Sequence, residues 1–197
     1  MILFGCYLVV FALLAIGPID RMTWFAENLT VWIIIGVIAV LYIRGIRFSN
    51  TSYALMSVLI FLHTIGGHFT FEKVPFDWVT NFFGFERNHY DRIAHFSVGF
   101  YAYPIAEWLS AKRLVANKFL LCTYPVFVIA TIAMGYEIIE WIYAAGSDPA
   151  AGAAYLGSQG DIWDAQKDML ADTLGAIIAT TFFLFRLKHA SPVEPKP

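Results

Sequence analysis

Charge is scarce in this chain, since only 14% of its 197 residues are charged. Soluble domains carry about 25% charged residues, so the composition argues against a soluble globular enzyme. The net charge is −2 and no basic face is present, which excludes a nucleic-acid partner. The two cysteines, Cys6 and Cys122, are too few for a disulfide scaffold or a thiolate metal cluster. A hydrophobic share of 59% also excludes a disordered chain.

The chain instead contains long apolar runs, and its mean hydropathy is +0.63. A membrane-spanning helix needs about 20 mostly apolar residues. Six runs are candidates, at residues 2–17, 29–43, 52–71, 89–110, 119–145 and 164–185. The first lacks the positively charged start of a signal peptide, so we expect it to be retained. The sequence predicts an all-α polytopic membrane protein with six transmembrane helices in one domain, residues 1–189, followed by a disordered cytoplasmic tail, 190–197.

The basic residues predict the orientation, because Lys and Arg accumulate in cytoplasmic loops. Of the 13 basic residues, 8 lie at one set of helix ends: Arg44, Arg47, Lys112, Arg113, Lys118, Arg186, Lys188 and Lys196. The other five are Arg21, Lys73, Arg87, Arg92 and Lys167. Both termini are therefore expected in the cytoplasm. In the outer loops, "DWVTNFFGF" predicts a short interfacial helix, and the Gly- and Ala-rich segment 146–163 predicts a mobile loop or lid.

The acidic residues are distributed in the opposite way. Only Glu107 and Glu194 of the 15 acids fall in the inner half. Four of the five histidines also lie in the outer half: His63, His68, His89 and His95. Acidic residues contribute little to membrane orientation, so topology does not explain this skew.

Several of these ionisable groups share one depth in the outer leaflet. With a rise of 1.5 Å per residue, His63, Glu137 and Asp172 lie about 12 Å inside their helices, and His95 about 9 Å. A charge in the hydrocarbon region costs about 2.5 kcal/mol or more. Groups on four helices at one depth can offset that cost by meeting, which predicts a shared polar site.

Helical spacing also places these groups on common faces. Asp91 and His95 are four residues apart, and Glu137 and Glu140 are three apart. A single acidic stripe is formed by residues that step by three, four and four: Asp161, Asp164, Asp168 and Asp172.

Four motifs resemble those of the YjdF-type bacterial inner-membrane protein family. They are "HxxxxH" at His63–His68, "DRxxHF" at Asp91–Phe96, "ExxEW" at Glu137–Trp141 and "QGDxWDxQKDMxxDxxGA" at Gln159–Ala176. A more distant similarity links the chain to VanZ-like proteins, in which Glu140 and Asp172 are replaced by amides. The resemblance implies a multi-pass inner-membrane protein, and the positive-inside rule then places the polar site on the periplasmic side. The VanZ similarity implies an antibiotic-resistance role, whereas the YjdF resemblance supplies no activity.

The residues themselves favour a metal-dependent intramembrane enzyme, a hydrolase or transferase, acting on a lipid or lipid-linked substrate. Mixed histidine and carboxylate ligands suit Zn²⁺, Mn²⁺ or Fe²⁺. The candidate ligands are His63, His95, Glu137, Asp168 and Asp172. Candidate catalytic acids or bases are Asp91, Glu140 and Asp164. Candidate substrate-binding residues are His68, Arg92, Asp161 and Lys167, of which the two basic ones could hold a phosphate headgroup.

Other functions stay open at the level of sequence. No HExxH motif is present, and histidines together with Arg92 could hold the acid pairs without a metal. Such a site would suit a non-catalytic binding, accessory or VanZ-like resistance protein. Chains of Asp, Glu and His also mark ion- or proton-coupled transporters. Single polar groups act as glue between helices, although that role needs few charges. Further copies of the same chain are also candidate partners, in a homo-oligomer.

Overall fold

The computed structural model describes residues 2–146, 152, 156 and 158–189, and this part is helical without strands. The main helices are α1 (Ile2–Leu14), α2 (Arg21–Ile43), α3 (Asn50–Phe69), α4 (Asp77–Phe83), α5 (Tyr90–Val98), α6 (Ala102–Ala111), α7 (Lys118–Gly146) and α8 (Asp164–His189). A 3₁₀ turn, Gly99–Tyr101, joins α5 to α6. The predicted tail, 190–197, and half of the predicted lid lie outside the described residues.

Among the described residues, four helices are long and apolar enough to cross a membrane: α2, α3, α7 and α8. The all-helical polytopic prediction is confirmed at this level. Helix α1 is apolar but has only 13 residues. The predicted short helix is present as α4, where Trp78 and Phe82 are exposed, and its interfacial position stays a prediction.

Helix α2 begins at Arg21, well before the predicted start at residue 29. Asp20 forms the N-cap, and its carboxylate accepts a hydrogen bond of 2.6 Å from the Thr23 backbone N–H. This bond lowers the pKa of Asp20. The extra turns place Glu27 and Asn28 inside the helix, where both side chains are buried.

The predicted helix 89–110 is interrupted in its middle by the 3₁₀ turn. Pro104 has no N–H to donate to the carbonyl four residues earlier, which weakens a regular helix at this point. Gly99 also packs directly on α8, because a Cβ there would overlap backbone atoms of Asp172, Gly175 and Ala176. The chain departs from α-helical geometry where it approaches α8 most closely.

Helix α8 is central, since it packs against α5, the 3₁₀ turn, α6 and α7. Helix α3 packs against α1, α2 and α5 and completes the other side. The core around α8 is rich in small residues, including Ala102, Ala106, Ala176 and Ala179. Small side chains let helix backbones approach closely in membrane proteins.

Hydrogen bonds define the two ends of the bundle. At one end, the Ile19 N–H donates to the carbonyl of His68 at 3.0 Å, next to the start of α2. At the opposite end, the Ser49 N–H donates to Glu107 at 3.0 Å, and the Arg186 side chain donates to Thr51 at 3.0 Å. The starts of α2, α5 and α8 therefore lie together at one end, away from the start of α3.

Candidate functional site

Three basic side chains alternate with the acidic stripe at the start of α8 and form an ion-pair ladder. Arg87 Nη1 lies 3.5 Å from Asp161 and 2.6 Å from Asp164. Arg92 continues the ladder by contacting Asp164 at 2.6 Å, and it also contacts Asp168. The ladder ends at His95, which meets Asp168 and Asp172, as described next. The spacing of the predicted stripe thus matches the spacing of its basic partners.

His95 contacts three aspartates at the inner end of this ladder. Its Nε2 lies 3.7 Å from Asp91 and 3.8 Å from Asp168, whereas its Nδ1 lies 3.3 Å from Asp172. One ligand atom from each of Asp91, His95 and Asp168 falls within 4.8 Å of the others. Metal-binding histidines commonly present one nitrogen to the metal and the other to a carboxylate. These three residues therefore form a candidate cation site, with Asp172 fixing the His95 ring.

A cavity of about 120 Å³ opens beside His95. Its polar wall is supplied by five elements that meet at this end of the bundle, with Glu27, His63, Asp91, His95, Glu140 and Asp172 among the lining residues. The cavity brings together residues from α2, α3, α5, α7 and α8. Asp172 is almost fully buried at 1% exposure, and its Oδ1 has no hydrogen-bond partner within the described chain.

Glu27 is a site residue that the sequence analysis did not single out. Its carboxylate lies 3.0 Å from Nε2 of His63, and both side chains line the cavity. The predicted α2 start at residue 29 left Glu27 in a loop. Recognition of Asp20 as an N-cap would have placed Glu27 inside the helix and on its buried face.

The remaining predicted ligands do not all converge on His95. His63 faces the same cavity but pairs with Glu27. Glu137 is buried on α7, and its Oε1 has no hydrogen-bond partner among the described residues. Asp172 sits on the Nδ1 side of His95, away from the nitrogen that faces Asp91 and Asp168. Asp91, predicted as a catalytic group, lies with the candidate ligands instead.

The other two predicted catalytic residues, Glu140 and Asp164, lie in different parts of the site. Glu140 lines the cavity on the α7 side. Asp164 is buried in the ladder, where one carboxylate oxygen accepts hydrogen bonds from Arg87 and Arg92.

The predicted substrate-binding residues fall in three places. Arg92 belongs to the ladder. Lys167 and Asp161 form an ion pair of 2.6 Å at the outer rim, and this hydrogen bond lowers the pKa of Asp161. His68 donates from Nδ1 to the Leu14 carbonyl at 2.7 Å and so ties α3 to α1.

Comparison with known sequences identifies the family. The DUF2238 family, described as a predicted membrane protein, matches residues 1–189. The chain belongs to this family. It is 36% identical to the inner membrane protein YjdF of Escherichia coli (strain K12) over 179 residues, which cover 85% of this chain and 79% of YjdF. No solved structure matches the chain.

Membership in the DUF2238 family confirms the YjdF-type resemblance and supports a membrane protein with a homologue in a bacterial inner membrane. The more distant VanZ similarity stays a prediction. All four motifs that carried the resemblance lie within the matched residues, and each contributes a residue to the ladder or to the cavity lining.

Proposed function

We propose that this DUF2238 protein is a metal-dependent intramembrane enzyme, a hydrolase or transferase, that acts on a lipid or lipid-linked substrate. The main support for this proposal is the group formed by Asp91, His95 and Asp168, whose ligand atoms lie within 4.8 Å of one another. Zn²⁺, Mn²⁺ and Fe²⁺ all accept such mixed ligands. A bound cation would supply a Lewis acid for a phosphoryl or carbonyl oxygen.

The chain's own residues have distinct roles in this proposal. Asp172 holds the Nδ1 side of His95 and fixes the direction of Nε2. Glu140 and the His63–Glu27 pair line the cavity and are the candidate proton acceptors. Arg87 and Arg92 keep the aspartates in place, which offsets part of the cost of their burial.

We further propose six spans, both termini in the cytoplasm and a site that faces the periplasm. Helices α5 and α6 with their 3₁₀ turn cover Tyr90 to Ala111, about 33 Å at the rise of a helix, which suffices for a bilayer. Helix α1 is shorter, and local thinning of the bilayer accommodates such a helix. The excess of Lys and Arg at the end opposite the site supports this orientation.

One observation favours a second candidate, a non-catalytic binding or accessory protein. Arg92 already contacts the carboxylates of Asp164 and Asp168, so the ladder neutralises part of its own charge without a metal.

An ion- or proton-coupled transporter would need a chain of ionisable side chains that continues from the site toward the inner end of the bundle. There, Glu107 accepts hydrogen bonds from Ser49, the N-cap of α3, and from Ser52, so its carboxylate is held at the start of that helix.

Metal analysis separates the enzyme proposal from the binding alternative. The full chain is purified in detergent through a tag without histidines, and its Zn, Mn and Fe contents are measured by mass spectrometry. We expect a stoichiometric divalent metal in the wild type. We expect that metal to be lost from His95→Ala and Asp168→Asn, because each removes a ligand.

His189→Ala is the matched control, because His189 is exposed at the far end of α8 and its ring nitrogen bonds the Phe185 carbonyl of the same helix. It should keep the metal of the wild type. A wild type that contains no more metal than His95→Ala would refute the metal site. A metal-dependent change of lipid headgroup in vesicles of bacterial polar lipids, absent in His95→Ala, would then establish the enzyme.

A further inference from the structure

A second, larger cavity of about 540 Å³ lies below the polar cavity, and we name it the lateral groove. One wall comes from α2, with Ile33, Val37 and Leu41, and the other from α7, with Tyr124, Val128 and Ile132. Its volume falls in the range of about 300 to 1,000 Å³ that is typical of ligand sites. The described residues that line it are almost all apolar, so its occupant must be apolar too.

The lateral groove and the polar cavity are adjacent and share part of their walls. Four side chains line both spaces: Ile34, Leu59, Val98 and Ile132. A ligand that passes between these four side chains would extend from the carboxylates into the groove without crossing a helix. The polar cavity is small, about 120 Å³, and so suits a compact polar group.

The shape of the groove favours a hydrocarbon chain that lies parallel to the helices. Along α2 it extends from Ile33 to Leu41, which corresponds to about 12 Å of helix. The walls are candidate membrane spans, and Val37, Tyr124 and Ile132 remain about half exposed. In a bilayer this opening faces lipid tails, so a chain can enter sideways.

We propose that the lateral groove binds the hydrocarbon chain of a lipid phosphate monoester whose phosphate enters the polar cavity. The phosphate part of this proposal rests on the proposed metal site, because the cavity lining itself is acidic. The chain part rests on the groove alone. The ligand joins both spaces as one molecule, with its head toward the outer end of the bundle and its tail toward the middle.

Photocrosslinking tests this proposal on the full chain. The protein is reconstituted in phosphatidylcholine vesicles that contain a small share of phosphatidic acid with a diazirine in one acyl chain. After irradiation, the labelled residues are mapped by mass spectrometry. We expect labels on α2 and α7 at the groove walls, and weaker labelling by the same chain on a phosphocholine head. Uniform labelling of all exposed apolar helix faces would overturn the proposal.

Groove-filling variants sharpen the result. Val128→Trp and Val37→Trp narrow the groove from opposite walls. We expect each to reduce groove labelling roughly tenfold, which corresponds to about 1.4 kcal/mol of binding free energy. Val9→Trp is the matched control, because Val9 is exposed on α1 outside the groove lining, and it should label like the wild type. Unchanged labelling in both folded groove variants would overturn the proposal.

Two further arms separate the groove from the metal site. Excess inorganic phosphate should leave the chain labels in place, because it lacks the hydrocarbon that the groove buries. Full displacement by inorganic phosphate would overturn the chain site. Chelation should abolish the preference for phosphatidic acid while groove labelling persists. If the wild type holds no metal but its groove is still labelled, the proposed metal site is refuted and the site for the hydrocarbon chain stands.

Discussion

Arg92 shows how one side chain organises the candidate site. Its guanidinium contacts Asp164 and Asp168, and both partners are buried. Removal of one partner of a buried ion pair leaves a charge in a medium that solvates it poorly. Arg92 is therefore expected to contribute more to stability than a basic residue at the surface.

Arg92→Ala should destabilise the folded protein by about 3 to 5 kcal/mol, the usual cost of breaking a buried pair. Lys73→Ala is the control, because its pair with Glu72 is 3.6 Å long and 56% of the Lys73 side chain is exposed. We expect that control to change stability by about 0 to 1 kcal/mol. Reversible unfolding in mixed micelles measures both. Equal stabilities for the two variants would show that the ladder contributes little.

At the residue scale, the spacing of the acidic residues predicted which of them meet basic partners. The sequence did not predict the direction in which each side chain points. The steps between Asp161, Asp164, Asp168 and Asp172 predicted one acidic face. In the structure Asp161 lies just before α8, and all four aspartates contact basic residues. Which nitrogen of His95 meets which carboxylate depends on ring orientation. That orientation is fixed by contacts between α5 and α8, which are distant in sequence.

At the scale of elements, the contact of the 3₁₀ turn with α8 sets the frame of the site. A Cβ on Gly175 would overlap the Phe96 carbonyl oxygen, and a Cβ on Gly99 would overlap the α8 backbone. Both glycines are needed because the two backbones touch. This crossing lies one turn below His95 and Asp172, so it determines how far apart α5 and α8 hold their polar side chains.

Gly175→Ala should therefore destabilise the protein by about 1 to 3 kcal/mol, since backbone atoms must move to make room. Gly135→Ala is the matched control on α7, where an added Cβ would meet nothing within 4 Å. There, alanine should be neutral or stabilising by up to about 1 kcal/mol, because it favours a helix over glycine. Thermal unfolding in one detergent ranks the three proteins. A Gly175→Ala protein as stable as Gly135→Ala would contradict the close crossing.

The helix boundaries were predictable where an apolar run coincides with the whole helix. Helices α3, α7 and α8 lie close to the predicted runs 52–71, 119–145 and 164–185. The early start of α2 was missed because its first turns carry Arg21, Glu27 and Asn28, which lower local hydropathy. The break after Val98 was missed because it depends on the partner helix as well as on Pro104.

At the scale of the whole molecule, opposite charges mark opposite ends. Acidic residues gather at the end where α2, α5 and α8 begin, and Lys and Arg are more frequent at the other end. This asymmetry was visible in the sequence and supports the proposed orientation, since basic loops stay in the cytoplasm. The lateral groove was not predictable, because its walls come from helices far apart in the chain.

Cysteine labelling checks this orientation. Cys6 and Cys122 are first replaced by alanine, and one cysteine is then introduced as Trp78→Cys or Lys112→Cys, at exposed positions on opposite ends. In spheroplasts of a bacterial host, a membrane-impermeant maleimide should label position 78 and spare position 112. Disruption of the membrane should make both reactive. The reverse pattern in intact spheroplasts would invert the proposed topology.

The backbone contact between Gly99 and α8 also bears on how the protein responds to its membrane. A thicker or thinner bilayer changes helix tilt, at a modest energetic cost per ångström of mismatch. Helices α2 and α7 face each other across an open groove and have room to tilt, whereas α5 and α8 are held backbone to backbone. Lipid composition should therefore change the width of the opening of the lateral groove between α2 and α7, while the distances among Asp91, His95 and Asp168 stay constant.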